Sequence, residues 1–263
     1  GGLSIAASGC KNYPLAAQTI MTVFMALCGI NFSVFYLLLT KRFREAWHCE
    51  EMRWYLTIML GSGTLIAINV YRAGIVTSPY LAFHHAMFTV SSIMTTTGFA
   101  TLDYNVWPQF SRTLLFILML LGACAGSTGG GLKISRLIIL LRNARNELIF
   151  STHPKSVRRV SMDGHCVEGT TVKSISAYLA WYAFIFLASF LVISTDGFDF
   201  ETNISAIAAT FNNVGPGLNM VGPIGNYSAF SDLSKIVTIF DMLAGRLEIM
   251  PILTLFYFRT WKK

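Results

Sequence analysis

The sequence predicts an all-α integral membrane protein built from repeated helix–pore-loop–helix units, a channel-like plan in pseudo-fourfold arrangement. Three observations carry this prediction. Of 263 residues, 54% are hydrophobic and only 13% charged, with a mean hydropathy of +0.55, whereas a soluble domain carries about 25% charged residues. Several apolar stretches approach or exceed the roughly 20 residues that a hydrocarbon core demands. A succession of long span, half-length segment, glycine-containing run and second span occurs twice.

Taken in chain order, residues 1–46 supply only the tail of such a unit. The chain begins Gly1-Gly2, without an initiator Met or a signal-peptide pattern, and reads as the later part of a longer protein. An apolar span follows at 15–39. The next unit, 53–150, opens with a span at 54–70 and a break at Ser78-Pro79. Its half-length segment at 80–94 is too short to cross a bilayer. The run Thr95-Thr96-Thr97-Gly98-Phe99 comes next, then apolar residues 113–121 extended through 132–141. Residues 151–172 form a basic polar loop. The last unit, 173–263, repeats the order: a span at 175–194, an acidic break, a short helix at 201–211, an Asn/Gly/Pro run, and a span at 235–258.

The formal net charge of +7 raises the possibility of a nucleic-acid partner, but its distribution argues otherwise. Fifteen of the 20 Lys and Arg residues fall within 41–53, 133–173 and 259–263. That clustering follows the positive-inside rule and makes those blocks cytoplasmic. The partner is therefore membrane lipid, with no nucleic acid expected. The five cysteines form no C-x-x-C pair, so neither a disulfide framework nor a transition-metal site is indicated.

The runs after the half-length helices are the candidate functional site. Irregular backbone at membrane depth is tolerated only where protein buries it or where it lines a watery cavity. A re-entrant half-helix that returns through an extended strand can present carbonyls to a dehydrated cation. Candidate ion-binding residues are Thr96, Thr97, Gly98 and Phe99 in one run, and Asn213, Val214, Gly215 and Pro216 in the other. Gly1 and Gly2 begin what remains of a third. The bland alternative is a pair of outer loops with turn-forming Gly and Asn. A register check favours the pore: Gly29, Gly126 and Gly245 each recur about halfway down the second span of a unit.

Four motifs together carry a family resemblance: T-T-T-G-F at 95–99, A-G-S-T-G-G-G-L-K at 125–133, N-x-x-G-P-G at 212–217 and G-R-L-E-I at 245–249. The chain resembles the Trk, Ktr and HKT superfamily of potassium transporters over essentially its whole length. The resemblance implies four potassium-channel-like units in the complete protein, of which about two and a half are present here. It implies potassium as the transported substrate, no bound cofactor and no enzymatic activity. It also implies a bacterial inner-membrane location with several spans, a homodimer, and a cytoplasmic nucleotide-binding regulatory subunit. Glycine in every filter goes with potassium preference in the family. A sodium or mixed alkali-cation transporter of the same fold is the alternative, because the first unit is absent.

Residues 122–131 hold five glycines and two hydroxyls. Each glycine costs a helix about 1 kcal/mol against alanine, so a broken helix with an irregular loop is expected. It is not a phosphate loop, since Lys133 is displaced by one residue from the required spacing. The resemblance implies that this loop obstructs the pore and moves to open it, making Gly126, Ser127, Thr128, Gly129, Gly130, Gly131 and Lys133 gating candidates. Arg246 lies within an apolar run near Asp241 and Glu248. Either it pairs with one of those carboxylates, or it stands at the pore wall and repels cations; a mid-membrane Arg is too costly to face lipid.

Other polar groups receive plainer readings. His84 and His85 are adjacent, point about 100° apart on a helix and read as packing residues. Asp196, Asp199 and Glu201 read as a solvated outer mouth without a partner. The loop 142–173, broken by Pro154 and Gly164, is either a lipid-facing linker or a contact for the regulatory subunit. Two rivals from other classes remain: an intramembrane enzyme using His84, His85 or Ser91, and a non-transporting membrane subunit.

Overall fold

The computed structural model describes residues 9–153 and 159–257, so Gly1, Gly2 and Pro154 lie outside the described residues. Helices α1 (Leu15–Cys28) and α2 (Phe32–Leu39) are followed by the short α3 (Phe43–His48) and the long α4 (Glu50–Arg72). Helix α5 (Pro79–Met94) is the first half-length helix; α6 (Gln109–Leu120) and α7 (Ile134–Thr152) flank the glycine-rich loop. A hairpin of β1 (Ser161–Met162) and β2 (His165–Cys166) leads to α8 (Gly169–Ile193). Helix α9 (Phe200–Phe211) is the second half-length helix, and α10 (Asp232–Leu247) and α11 (Ile249–Phe256) complete the described helices.

Length sorts these helices by role. At 1.5 Å per residue, α4 and α8 reach about 35 Å or more, enough to span a hydrocarbon core. Among the described residues they are the two unbroken helices long and apolar enough to do so. Large side chains on α8 point outward, with Phe184, Leu187 and Leu191 exposed by 64%, 60% and 71%. Burial on α5 and α9 is the reverse: all residues from 88 through 94, and from 205 through 211, are buried. Apolar surface outside and polar-containing half-helices inside is the pattern of a protein dissolved in lipid. One apolar core surrounds α4, α5 and α6; a second joins α8, α9, α10 and α11.

Two expected continuous spans are corrected by the structure, 15–39 and 235–258, and the break expected within 122–131 is present. Residues 15–39 bend by 96° between α1 and α2. Residues 29–31 break the helix there, and Asn31 caps α2 by accepting the Ser33 N–H at 2.8 Å. The span through 113–141 is interrupted between α6 and α7, where the Gly122 N–H bonds to the Leu132 carbonyl at 2.8 Å. The last span breaks at Glu248, whose φ is +66°. Both Glu248 carboxylate oxygens accept from Arg136 at 2.9 Å, and that pairing holds the break. Gly29 lies at one break, Gly126 inside the loop, and Gly245 three residues before Glu248.

The basic loop is shorter than expected. Helix α7 runs on to Thr152 because Arg142, Asn143, Arg145 and Glu147 form a polar face while Ile134, Ile138 and Ile139 are buried. Gly164 does break the chain: Asp163-Gly164 form a tight hairpin turn with φ of +51° and +78°. The hairpin pairs Ser161 with Cys166 and Met162 with His165.

Candidate functional site

The two runs after the half-length helices share one backbone design. After α5, the Thr95, Thr96 and Thr97 N–H groups donate to the carbonyls of Ser91, Ile93 and Ser92 at 3.0, 3.1 and 2.8 Å. After α9, those of Asn212, Asn213 and Val214 donate to Ala208, Thr210 and Ala209 at 3.2, 3.0 and 2.8 Å. Gly98 and Gly215 complete the match, each with an N–H 3.4 Å from the carbonyl already used by its neighbour. Backbone angles agree too: φ is positive at Thr96 and Gly98 in one run, and at Asn213 and Gly215 in the other. Left-handed backbone alternates with ordinary backbone, and that alternation turns successive carbonyls away from the helix that receives the N–H groups.

The consequence is a row of oxygens without donors. Among the described residues, no protein hydrogen bond reaches the carbonyls of Thr96, Thr97, Gly98, Asn213 or Val214. The Phe99 carbonyl accepts from the Ser92 hydroxyl at 2.6 Å, and that of Gly215 from Tyr227 at 2.9 Å. The runs lie against one another: a Cβ on Gly98 would stand 2.5 Å from the Val214 carbonyl and 3.2 Å from the Pro216 ring. With φ of +83° as well, only glycine fits there at low cost.

The glycine-rich loop sits against both runs. The Gly130 N–H donates to the Thr96 hydroxyl at 2.9 Å, and a Cβ on Gly130 would meet the Asn212 carbonyl at 2.5 Å. The loop is also stitched to the α1–α2 break. Cys124 N–H donates to the Gly29 carbonyl at 3.0 Å, and Phe32 N–H to that of Gly126 at 3.2 Å. Within the loop, Ser127 Oγ bonds to the Cys124 carbonyl at 2.6 Å, Gly129 N–H reaches Ser127 Oγ, and Lys133 Nζ donates to the Gly129 carbonyl. Gly126 and Gly131 both take positive φ.

Arg246 completes this layer by donating to the Thr128 carbonyl at 2.9 Å. Of the two readings of Arg246, the ion pair with Asp241 or Glu248 is absent among the described residues: Asp241 accepts from Ser189, and Glu248 is taken by Arg136. A cavity of about 320 Å³ adjoins the loop, lined in part by Lys133, Arg136, Arg246 and Glu248. Three cations against one carboxylate leave its wall net positive.

Two side-chain systems were not legible in the sequence. Glu51, 3% exposed, accepts the Ala125 N–H at 2.7 Å and the Ser135 N–H at 3.0 Å. At the other end, the acidic residues expected to be solvated and without a partner are exposed or half-buried, but they are bonded. Arg112 pairs with Glu201 at 2.6 Å and donates to Asn219. Asn219 in turn donates to Asp199 and Glu201, and exchanges two bonds with Asn105. Asp199 also caps α9 through Thr202 N–H. Burial opposes its ionisation, but the Thr202 and Asn219 donors outweigh it and hold the carboxyl below the usual range. Asp196 accepts the Ser231 N–H. An Arg on the α6 side facing carboxylates on the α9 side is the one signal that could have found this clamp. His85 bonds Thr101 at 3.0 Å and lies edge-on to His84, in keeping with packing.

A family model described as "TrkH: Cation transport protein" matches residues 1–260. The Trk system potassium uptake protein TrkH of Escherichia coli K12 is 30% identical over 247 residues, 94% of this chain and 51% of that protein. Its counterpart from Vibrio parahaemolyticus is 32% identical over 250 residues, with 94% and 51% covered. The crystal structure of the potassium transporter TrkH from Vibrio parahaemolyticus matches with a TM-score of 0.88 at 32% identity, covering 97% of this chain and 55% of that one. The chain spans about half the length of these relatives.

Proposed function

The chain belongs to the TrkH family of cation transport proteins, and from that premise we propose that it supplies part of the pore of a potassium uptake protein. The observation that carries this reading is the doubled filter backbone. Two runs send their N–H groups back to a half-length helix and leave the carbonyls of Thr96, Thr97, Gly98, Asn213 and Val214 without protein donors among the described residues. Such oxygens can replace the hydration shell of an alkali cation. Phe99, Gly215 and Pro216 frame these rows, and Gly1 and Gly2 belong to the run that begins the chain. Potassium rather than sodium is favoured by the names of the relatives, each a potassium uptake protein.

The loop with Gly126, Ser127, Thr128, Gly129, Gly130, Gly131 and Lys133 then serves as the gate. Its contact with the Thr96 hydroxyl puts it against the filter, and Arg246 adds a positive barrier while bonded to Thr128. The units divide as 1–46, 53–150 and 173–263, joined by 151–172. The complete protein works as a multi-pass homodimer in a bacterial inner membrane, under a cytoplasmic nucleotide-binding subunit. The hairpin at β1 and β2, within the basic segment, offers that subunit a contact. Expression of the full-length protein with its regulatory subunit in a potassium-uptake-deficient host tests the reading. Restored growth at limiting potassium is expected; membrane-inserted protein that restores none contradicts it.

A further inference from the structure

The loop is held from one side by a single buried oxygen. Glu51 Oε1 accepts the Ala125 N–H, near the start of the loop, and the Ser135 N–H, in the first turn of α7. These two donors flank the loop residues 126–133, so one carboxylate fixes the separation of the loop's ends. Its own position is fixed in turn. The neighbouring Glu50 N–H donates to Asp163 Oδ1 at 2.7 Å, and the Glu50 carboxylate pairs with Arg142 at 2.8 Å. The first turn of α4 is thereby tied to the β1–β2 hairpin on one side and the loop on the other.

We propose that Glu51 is a positioning residue that latches the glycine-rich loop in its obstructing conformation; this rests on the reading of the loop as a gate. A buried carboxylate is costly unless its oxygens are satisfied. Here the satisfaction comes from backbone N–H groups at both ends of the loop, together with the favourable end of the α7 dipole. Displacing the loop strands the charge, so Glu51 stabilises the closed arrangement specifically. A residue that merely supported the fold would have no partner in the loop and would be indifferent to its displacement, whereas Glu51 ties Ala125 of the loop to Ser135 of α7.

Rubidium uptake by full-length protein in proteoliposomes, without any activating nucleotide, tests the latch. Each charge-assisted hydrogen bond biases an equilibrium roughly tenfold or more. Glu51→Ala is therefore expected to raise basal uptake about tenfold or more with the rubidium-over-sodium preference intact. Glu51→Gln keeps the accepting oxygen and is expected to restore most of the closure. A variant lacking residues 126–131 is the control for the gate itself. If that deletion raises uptake and Glu51→Ala does not, the latch is overturned and the gate survives. If the deletion does not raise uptake, both fall. Should Glu51→Ala not fold, Glu51→Asp decides: its shorter side chain cannot span both donors, so a severalfold rise is expected and unchanged uptake overturns the proposal.

Discussion

Gly130→Ala probes the contact between the glycine-rich loop and the proposed filter most sharply. No positive φ is involved at this position, so the substitution carries no left-handed backbone penalty. The added methyl would lie 2.5 Å from the Asn212 carbonyl carbon–oxygen group's oxygen and 3.3 Å from Asn213 Cβ. The obstacle is backbone, which cannot swing aside as a flexible side chain would. Of the two partners, the filter run is the better anchored: Asn212 is bonded to Ala208 through both its N–H and its side-chain amide, and to Tyr182. The loop gives way, and with it goes the Gly130–Thr96 bond. Overpacking costs about 1–3 kcal/mol and a neutral hydrogen bond contributes about 0.5–1.5 kcal/mol. Together they weaken the closed state by about 1.5–4.5 kcal/mol, which at about 1.4 kcal/mol per decade is roughly ten- to a thousandfold in the closed-to-open ratio. Basal rubidium uptake in proteoliposomes, read beside a melting curve, measures this. A folded Gly130→Ala protein with wild-type basal uptake refutes the reasoning, and a loss of selectivity without added flux means that the filter moved instead.

Three further outcomes follow from contacts described above. Arg246→Gln removes the fixed charge beside the loop while keeping a donor for the Thr128 carbonyl, so unitary cation current should rise; Arg246→Lys should leave it near the wild-type value. Arg112→Ala strands Glu201 and Asn219 at a partly buried clamp and should cost about 1–3 kcal/mol, read as a lower melting temperature in detergent. Asp199 has a folded pKa held below its unfolded value, so its contribution is complete above about pH 4 and is lost as pH falls through the folded value. Asp199→Asn should flatten that acid limb of a melting-temperature profile, and an unchanged limb contradicts the assignment.

What the sequence made legible was what local pattern encodes. Half-length segments, the Thr/Gly and Asn/Gly runs and a helix broken by five glycines are all written within a few residues of themselves. The two additional helix breaks differ in kind. Asn31 gives a local capping signal, with Ser33 two residues on, that an apolar reading of 15–39 passes over. Glu248 gives none, because its left-handed backbone is held by Arg136, a partner more than a hundred residues away. The same reason hid Glu51, whose donors at Ala125 and Ser135 are set by folding and are main-chain groups that every residue type carries. Arg112 and Glu201 are likewise joined only when the α6 and α9 sides meet. The acidic break therefore looked unpartnered. Local periodicity does not contain these contacts, although charge complementarity across the outer mouth hints at one.

In the proposed function, backbone carbonyls at 96–98 and 213–214 select the ion. Uptake of rubidium, potassium, sodium and lithium by the full-length protein in proteoliposomes, with Gly215→Ser alongside, measures that selection. Rubidium and potassium should pass in preference to sodium and lithium, and Gly215→Ser, placing a side chain where φ is +104°, should weaken that preference. A folded protein with its regulators supplied that passes no alkali cation, or a Gly215→Ser variant with unaltered selectivity, would contradict the carbonyl filter.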